Sequence, residues 1–297
     1  MSDPLLAEGL ATIADEIDRA FDALLPVPSD QRAQLFEAMR YAAIGGGKRL
    51  RPLLLTAVAD MYGVVREASV RAAIAIESIH VYSLIHDDLP CMDNDAVRHG
   101  KPTVHLAFDE ATAVLAGDSL LSFAFEVLSD PATTADPFTR IELVQALGHA
   151  SGAQGMAGGQ MMDLVAETSE FDLQTVTRLQ QLKTGALLAA AVEMGAILGR
   201  IPPEGRVHLR GYARDIGLAF QIADDLIDHE GNAEVAGKAV GKDAAAGKET
   251  FVSLLGPERA REQARMLVEQ AIGHLAQHGK EADLLRAVAR YIIERDH

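Results

Sequence analysis

The chain has 297 residues, of which 48% are apolar, a formal net charge of −16 and one cysteine. The acidic balance argues against nucleic acid as a partner, because phosphate backbones are bound by basic surfaces. A single cysteine excludes an internal disulfide and is typical of a protein from a reducing compartment. The length allows one large domain or two ordinary ones.

Apolar residues recur at three- and four-residue spacing along most of the chain, which predicts helices and very few strands. The first helix has an apolar face from Leu6 to Leu24, and a second runs to the glycines at 45–47. Further helices are predicted at 51–62, 67–89, 109–129, 137–156, 171–199, 203–229, 257–278 and 281–295. Residues 230–250 are rich in Gly, Ala and Lys with poor periodicity, so we expect a long functional loop there.

The helices at 67–89, 171–199 and 203–229 carry few charges, and a helix that is apolar nearly all round is buried on most sides. No repeat or linker divides the chain, so we expect a single all-α domain over residues 1–297, built as one large helical bundle. The chain does not open with a basic stretch followed by an apolar core, the pattern of a signal peptide. The most apolar window, Thr184 to Leu198, is too short to span a bilayer. A cytoplasmic protein without a signal peptide or membrane span is therefore expected.

Two aspartate clusters stand at the ends of apolar, helix-patterned segments: Asp87, Asp88 and Asp93 in the first, and Asp224, Asp225 and Asp228 in the second. Carboxylates in such places are costly unless a cation binds them, and donor sets made only of oxygen suit Mg²⁺. Asp224 and Asp228 are one helical turn apart and face the same way. Asp87 and Asp93 can meet only if Pro90 distorts the helix end. A solvated helix end is the alternative for each cluster.

Cationic residues that could bind an anionic substrate lie in four places: Lys48, Arg49 and Arg51 after the glycines; Arg98, His99 and Lys101; Lys183; and Lys238, Lys242 and Lys248 in the expected loop. Backbone amides and cations at a helix start form an anion site. Lys183 interrupts a very apolar helix and needs an anionic partner or a route to solvent. Taken singly, the lysines could be surface residues, and His80 a core histidine. Together with the acidic clusters, these cations indicate Mg²⁺ bridging a diphosphate.

Several motifs in this order resemble the trans-isoprenyl diphosphate synthases, with matching spacing from about residue 40 to 255. They are the two aspartate clusters, Gly-Gly-Gly-Lys-Arg-Leu-Arg-Pro at 45–52, Gly100-Lys101-Pro102-Thr103, Gly117-Asp118, Gly158-Gly159-Gln160, Lys183-Thr184-Gly185 and Phe220-Gln221. The resemblance implies an all-α bundle around a deep central cavity, commonly a homodimer, with three Mg²⁺ ions. It also implies condensation of isopentenyl diphosphate with an allylic diphosphate, in an apolar cavity that keeps water from a carbocation.

The resemblance also implies a role for individual residues. Metal ligands would be Asp87, Asp88, Asp93, Asp224 and Asp228, with Asp225 in support. The allylic diphosphate would be held by Arg98, Lys183 and Lys248, with Lys238 in the loop. Isopentenyl diphosphate would bind at Gly47, Lys48, Arg51, His80 and His99. Thr184 and Gln221 would line the reacting centre. No side-chain base is evident, and the departing diphosphate is expected to take the proton.

Tyr82 and Ser83, five and four positions before Asp87, are expected to set the product length. An aromatic residue there, with the expanded first cluster, resembles bacterial farnesyl diphosphate synthases, so we expect a C15 product. A geranylgeranyl or geranyl synthase on the same scaffold is the alternative. Two other classes are open: a phosphohydrolase built on His86 and Asp87, which leaves the second cluster unexplained, and a non-catalytic regulatory homologue, which would be expected to lose one cluster.

The chain departs from the family after the first cluster, where Arg98 is followed by His99 and not by a second arginine. Asn94 and Ala96 also replace common acidic residues. Because histidine is mostly neutral near pH 7, we predict weaker, pH-dependent binding of isopentenyl diphosphate.

Overall fold

Helices make up 76% of the residues that the structure describes, and the predicted all-α class is confirmed. The computed structural model describes residues 3–230 and 248–294. The helices are α1 (Pro4–Leu24), α2 (Ala33–Ala43), α3 (Leu50–Met61), α4 (Arg66–Asp87), α5 (Val104–Ala107), α6 (Glu110–Ser129), α7 (Pro137–Ser151), α8 (Met156–Ala166), α9 (Leu173–Gln180), α10 (Ala186–Leu198), α11 (Val207–Glu230), α12 (Phe251–Leu255), α13 (Pro257–His274) and α14 (Asp283–Glu294).

Shorter elements join some of these helices. A turn of π-helix, Gln181–Gly185, links α9 to α10, and 3₁₀ turns at Pro203–Arg206 and Lys280–Ala282 precede α11 and α14. A two-stranded antiparallel ribbon consists of β1 (Val97–Arg98) and β2 (Lys101–Pro102).

The structure differs from the sequence prediction mainly around residues 152–185. The helix predicted at 137–156 ends at Ser151, and α8 follows as a separate helix that was not predicted. Gly155 separates the two helices, since a Cβ at this position would lie 2.1 Å from the carbonyl oxygen of Ala150. The helix predicted at 171–199 is interrupted by the π turn. Most of the expected loop, including Lys238 and Lys242, lies outside the described residues, and 251–255 is helical.

One apolar core runs through the bundle. It takes buried residues from α1, such as Phe21, through to Ile292 of α14. Ten of the thirteen residues of α10 are buried, as are eleven in each of α4 and α11, so the long apolar helices lie centrally as predicted. Helix α3, which packs against α4 and α10, is just as deeply buried. The boundary of a single domain at 1–297 stays a prediction.

Among the described residues, three helical segments are long and apolar enough to cross a membrane by length and composition: Arg66–Asp87, Glu110–Ser129 and Leu173–Leu198. The last contains the window at 184–198, which is itself short for a span, within a longer helical segment of 26 residues. The π turn joins α9 to α10 within this segment. The absence of a membrane span and the cytoplasmic location stay predictions.

Candidate active site

A cavity of about 250 Å³ lies between α3, α4, α8 and the π turn. Seven of the residues predicted from the sequence line it: Arg51, His80, Tyr82, Ser83, Asp87, Lys183 and Thr184. Its other lining residues include Met92, Met156 and Gln160, for which no role was predicted, and His86, which was considered only for the phosphohydrolase alternative. Charged groups and an apolar wall therefore meet in one space, as an allylic diphosphate requires.

The first aspartate cluster is folded back on itself at the end of α4. The backbone nitrogen of Asp93 donates to the carbonyl oxygen of Asp87 (2.8 Å), and Asn94 adopts a positive φ of 52°. The expected distortion after Pro90 is thus present. Burial raises the pKa of Asp87 to about 6; the Lys183 ammonium lowers this pKa and the Asp93 carboxylate raises it. This carboxylate is costly to ionise in the absence of a bound cation.

Asp88 points to a different partner. Only 3% exposed, it accepts hydrogen bonds from Nε (3.0 Å) and Nη2 (2.5 Å) of Arg98. Arg98 also binds Asp95 at 3.1 Å. A role for Asp88 as metal ligand stays a prediction, whereas its visible function is to orient Arg98.

The glycine segment at 45–47 forms one wall of a cationic region. Arg51, His80, His99, Arg49 and Arg98 interact electrostatically within it. Burial lowers the pKa of His80 well below its ordinary value, and the Arg51 charge lowers it further. Burial also lowers the pKa of Arg51, while Glu77 and Asp224 act in the opposite direction, which places Arg51 within electrostatic reach of the second cluster.

Arg49 has a structural role that the sequence did not indicate. It is 3% exposed, has a φ of 52°, and donates to Glu77 (2.7 Å), Asp18 (2.8 Å) and the carbonyl oxygen of Ala43 (2.5 Å). Asp18 also accepts from the Gly45 nitrogen at 3.0 Å. Arg49 therefore holds the glycine segment in place, and its charge is balanced by Glu77 and Asp18. The expectation of three cations available to an anion at this helix start is therefore wrong for Arg49.

The ribbon β1–β2 presents His99 to the glycine segment. His99 (φ 52°) and Gly100 (φ 75°) form its two-residue turn, and positive φ at both positions matches the twist of such hairpins. A Cβ on Gly46 would lie 3.4 Å from the His99 ring. Burial lowers the pKa of His99 from its ordinary value, and the Arg98 charge lowers it further. His99 is therefore predominantly neutral at pH 7.

Helix α8 packs directly against the π turn that carries Lys183. A Cβ at Gly159 would lie 2.2 Å from the backbone nitrogen of Lys183, so only glycine permits this approach. One turn later, Oδ2 of Asp163 accepts from Nζ of Lys183 (2.7 Å) and from Nζ of Lys248 (2.9 Å). The two lysines predicted for the allylic diphosphate are thus brought together by Asp163, which the sequence reasoning missed. The sequence signal that could have indicated Asp163 is its position four residues after Gly159, which puts both residues on one helix face.

The second cluster ends α11. Asp225 is 6% exposed and accepts from the backbone nitrogen of Phe251 (2.8 Å), which ties α11 to the start of α12. Asp224 and Asp228 are half-buried, and Gln221 is buried one turn before Asp225. A Cβ on Gly217 would lie 3.3 Å from the Cα of Gly185, so α11 also packs on the π turn. The supporting role in metal binding expected for Asp225 stays a prediction.

Tyr82 lies in the cavity wall against His86, which in turn contacts α6. Its ring meets the His86 ring edge-on, with centroids 5.8 Å apart. The Nε2 atom of His86 donates to the carbonyl oxygen of Val114 (3.1 Å), and a Cβ at Gly117 would lie 2.1 Å from the same nitrogen. Gly117 thus makes room for the imidazole that supports Tyr82.

The donor chemistry of both clusters fits Mg²⁺. Within residues 3–230 and 248–294, no group of three His, Cys, Asp or Glu side chains converges closely enough to hold a metal by itself. Mg²⁺ is commonly bound by one or two carboxylates together with substrate phosphates and water. Asp87, Asp93, Asp224 and Asp228 provide such incomplete sets, which a diphosphate would complete.

Comparison with known proteins decides the family. The model of the "Polyprenyl synthetase" family matches residues 32–291. The chain belongs to this family. It is 42% identical over 301 residues to the farnesyl diphosphate synthase of Escherichia coli, covering 100% of both chains. A solved FPP/GFPP synthase from Zymomonas mobilis is 59% identical, with a TM-score of 0.89 over 97% of this chain and 98% of that one.

A third relative was solved with ligands. The geranyltransferase of Helicobacter pylori, complexed with magnesium and isoprenyl diphosphate, is 33% identical, with a TM-score of 0.80 over 99% of this chain and 98% of the other. The predicted family and the predicted prenyltransferase activity are confirmed by these relatives, and Mg²⁺ is indicated as the metal. The phosphohydrolase alternative is not supported.

Proposed function

We propose that this protein condenses isopentenyl diphosphate with dimethylallyl and then geranyl diphosphate to give farnesyl diphosphate. The observation that carries this function is the cavity in which Asp87 and Lys183 adjoin the apolar wall at Tyr82. Among the described residues, Nε of Arg51 and Nε2 of Gln160 are buried without a hydrogen-bond partner. Buried donors without partners are costly, and the oxygens of a diphosphate would satisfy them.

The residues divide the work between two substrates. Lys183, Lys248 and Arg98 hold the allylic diphosphate, while Lys48, Arg51 and His80 hold isopentenyl diphosphate, with His99 beside them. Asp87, Asp93, Asp224 and Asp228 hold Mg²⁺, for which we propose three ions per site. When bound, Mg²⁺ neutralises the charge that develops on the leaving diphosphate.

The protein's own groups then protect the reacting carbons. Tyr82, Met92 and Met156 exclude water from the apolar part of the cavity. Thr184 and Gln221 border the reacting centre, where their dipoles face the allylic cation. Isopentenyl diphosphate attacks through its double bond, and the departing diphosphate removes the proton.

We further propose a homodimer. Five large apolar side chains are exposed between residues 106 and 141: Leu106, Val114, Leu115, Phe138 and Ile141. Phe138 is 80% exposed and Ile141 66%. The helices that carry these side chains contact one another, α5 with α6 and α6 with α7. Exposed apolar side chains on neighbouring helices are a reason to expect a protein interface, and a second copy of this chain is the partner we favour.

Product analysis tests the function. Purified protein with Mg²⁺, isopentenyl diphosphate and dimethylallyl diphosphate should give a C15 diphosphate, and chelation of Mg²⁺ should abolish it. Chains longer than C15 should be sought as well, because the Zymomonas mobilis relative is described as an FPP/GFPP synthase. A C20 main product would agree with the proposed condensation but would reject the proposed C15 product. No condensation with any allylic primer would favour a regulatory homologue.

A further inference from the structure

Asp163 occupies an unusual position, because one of its oxygens serves two lysines from separate segments. Its Oδ2 atom accepts from Nζ of Lys183 on the π turn and from Nζ of Lys248 before α12, at 2.7 and 2.9 Å. The Asp163 side chain is 13% exposed, and those of Lys183 and Lys248 are 27% and 14% exposed. The two ammonium groups therefore lie within two hydrogen-bond lengths of each other.

Two ammonium groups at this spacing repel each other unless a negative charge lies between them. Burial raises the pKa of Asp163, but the charges and hydrogen bonds of Lys183 and Lys248 outweigh it and leave this pKa below its ordinary value. Asp163 is thus ionised at neutral pH. Without it, each flexible lysine side chain would turn toward water.

Each lysine keeps donors for a ligand while bound to Asp163. An ammonium group has three N–H donors, and Asp163 takes one from each lysine. The remaining donors come from two neighbouring cations, a spacing suited to the adjacent phosphoryl groups of a diphosphate. Because Asp163 lies on α8, which Gly159 fixes against the π turn, the pair is set by rigid elements.

We propose that Asp163 is a positioning residue that holds Lys183 and Lys248 as a preorganised pair for the allylic diphosphate. This inference rests on the proposed function, in which both lysines bind that substrate. It predicts a change in anion affinity opposite to the change expected from net charge alone. Removing a negative charge near an anion site should by itself tighten anion binding, whereas loss of positioning should weaken it.

The test is Asp163→Asn, which keeps the shape and removes the charge. We expect the KM for dimethylallyl diphosphate to rise about tenfold to a hundredfold, with the KM for isopentenyl diphosphate changed less than about twofold. Asp163→Glu keeps the charge and should recover part of the loss. It also keeps the inference testable if the asparagine variant does not fold. Glu167→Gln should have a smaller effect, because Glu167 is 46% exposed and contacts Lys248 alone of the pair, at 3.3 Å.

Asp30→Asn is the matched control, since it removes the same charge from an exposed pair with Arg32. An unchanged or lower allylic KM in Asp163→Asn would overturn the inference, and so would an equal rise in both KM values. Calorimetric binding of inorganic pyrophosphate with Mg²⁺ separates the two proposals. If the wild type binds pyrophosphate more tightly than Asp163→Asn but forms no product, the positioning role stands and the proposed function fails.

Discussion

The backbone nitrogen of Lys183 lies so close to Gly159 that a Cβ atom on the glycine would be 2.2 Å away. The same Cβ would be 2.5 Å from the Cα of Lys183, so the contact is between backbones and no side-chain rotation can relieve it. The packing of α8 on the π turn therefore depends on one missing methyl group.

Gly159→Ala should lower the free energy of unfolding by about 2–4 kcal/mol and reduce activity, because α8 must move away from Lys183. Denaturant unfolding and steady-state kinetics measure the two effects. Gly273→Ala is the control, since Gly273 is helical with no atom within 4 Å of the new Cβ, and it should be neutral or slightly stabilising. Equal stability of the two variants would contradict the close packing.

Asp87→Asn should abolish activity and yet stabilise the metal-free protein at pH 7.5 by about 1–3 kcal/mol. The pKa of Asp87 is raised to about 6 in the folded protein, so the fold binds this proton more tightly than the unfolded chain. Ionisation of Asp87 therefore lowers the free energy of unfolding of the wild type, by nothing below the unfolded pKa and by the full amount above about pH 6. The stability that Asp87→Asn gains over the wild type should therefore decrease as the pH falls from 7.5 to 5.

Thermal unfolding in a chelator, repeated with Mg²⁺ and pyrophosphate, measures this effect. The ligands should raise the Tm of the wild type more than that of Asp87→Asn. A variant that is less stable than the wild type at every pH would show that burial of Asp87 is not the dominant cost.

His99→Arg should lower the KM for isopentenyl diphosphate about threefold to tenfold at pH 7.5, because it replaces a neutral ring by a cation beside Lys48. Because the pKa of His99 is below its ordinary value, the ring is mostly neutral near pH 7 and gains its proton only as the pH is lowered. A protonated ring attracts a diphosphate, so the wild-type KM should fall as the pH is lowered toward 6. His99→Gln should lose this pH dependence without gaining affinity. An unchanged or higher KM in His99→Arg from pH 6 to 8 would reject the prediction.

Tyr82→Ala should lengthen the main product beyond C15, because it removes the ring from the wall of the cavity. Tyr82→Phe keeps the ring and its edge contact with His86, so it should retain the wild-type product. Chromatography of the dephosphorylated products distinguishes the chain lengths. The same product from all three proteins would mean that another side chain limits the length.

Phe138→Glu combined with Ile141→Glu should convert the proposed dimer into a monomer, because both side chains are exposed on α7. Light scattering after size-exclusion chromatography measures the mass. Val65→Glu is a control at a side chain that is 72% exposed outside this surface. A monomeric wild type, or a dimer that survives both charges, would exclude this interface.

Much of the helical framework follows from the sequence, because a 3.6-residue apolar period is a local signal. Helix α1 runs over the predicted apolar face and buries Leu6, Ile13, Ile17 and Phe21. The two-residue strands of the ribbon are too short to show alternation. The π turn within 171–199 also escapes, because an apolar period does not mark it, and it packs on Gly159, more than twenty residues earlier in the chain.

The site was predictable to the extent that motifs name residue types, but not their partners. Arg49, Lys48 and Arg51 look alike in the sequence, yet Arg49 is buried against Glu77 and Asp18. Asp88 resembles its neighbour Asp87 but binds Arg98. Such differences arise from long-range packing, which decides which charge is matched inside the protein and which is left for a ligand.

The π turn has a consequence for single-residue deletions in this helix. A single π turn is equivalent to one extra residue in an α-helix, and each residue turns a helix by about 100°. Deleting one residue within 181–185 should therefore restore a regular helix and leave α9 and α10 in nearly the same relative orientation, so Val176 and Leu179 would stay in the core. What would change is the turn itself, which places Lys183 and Thr184 at the cavity. A deletion elsewhere in this helix would rotate the segments on its two sides by about 100° relative to each other. Deletion scanning should therefore locate the turn as the place where the loss of one residue lowers stability least.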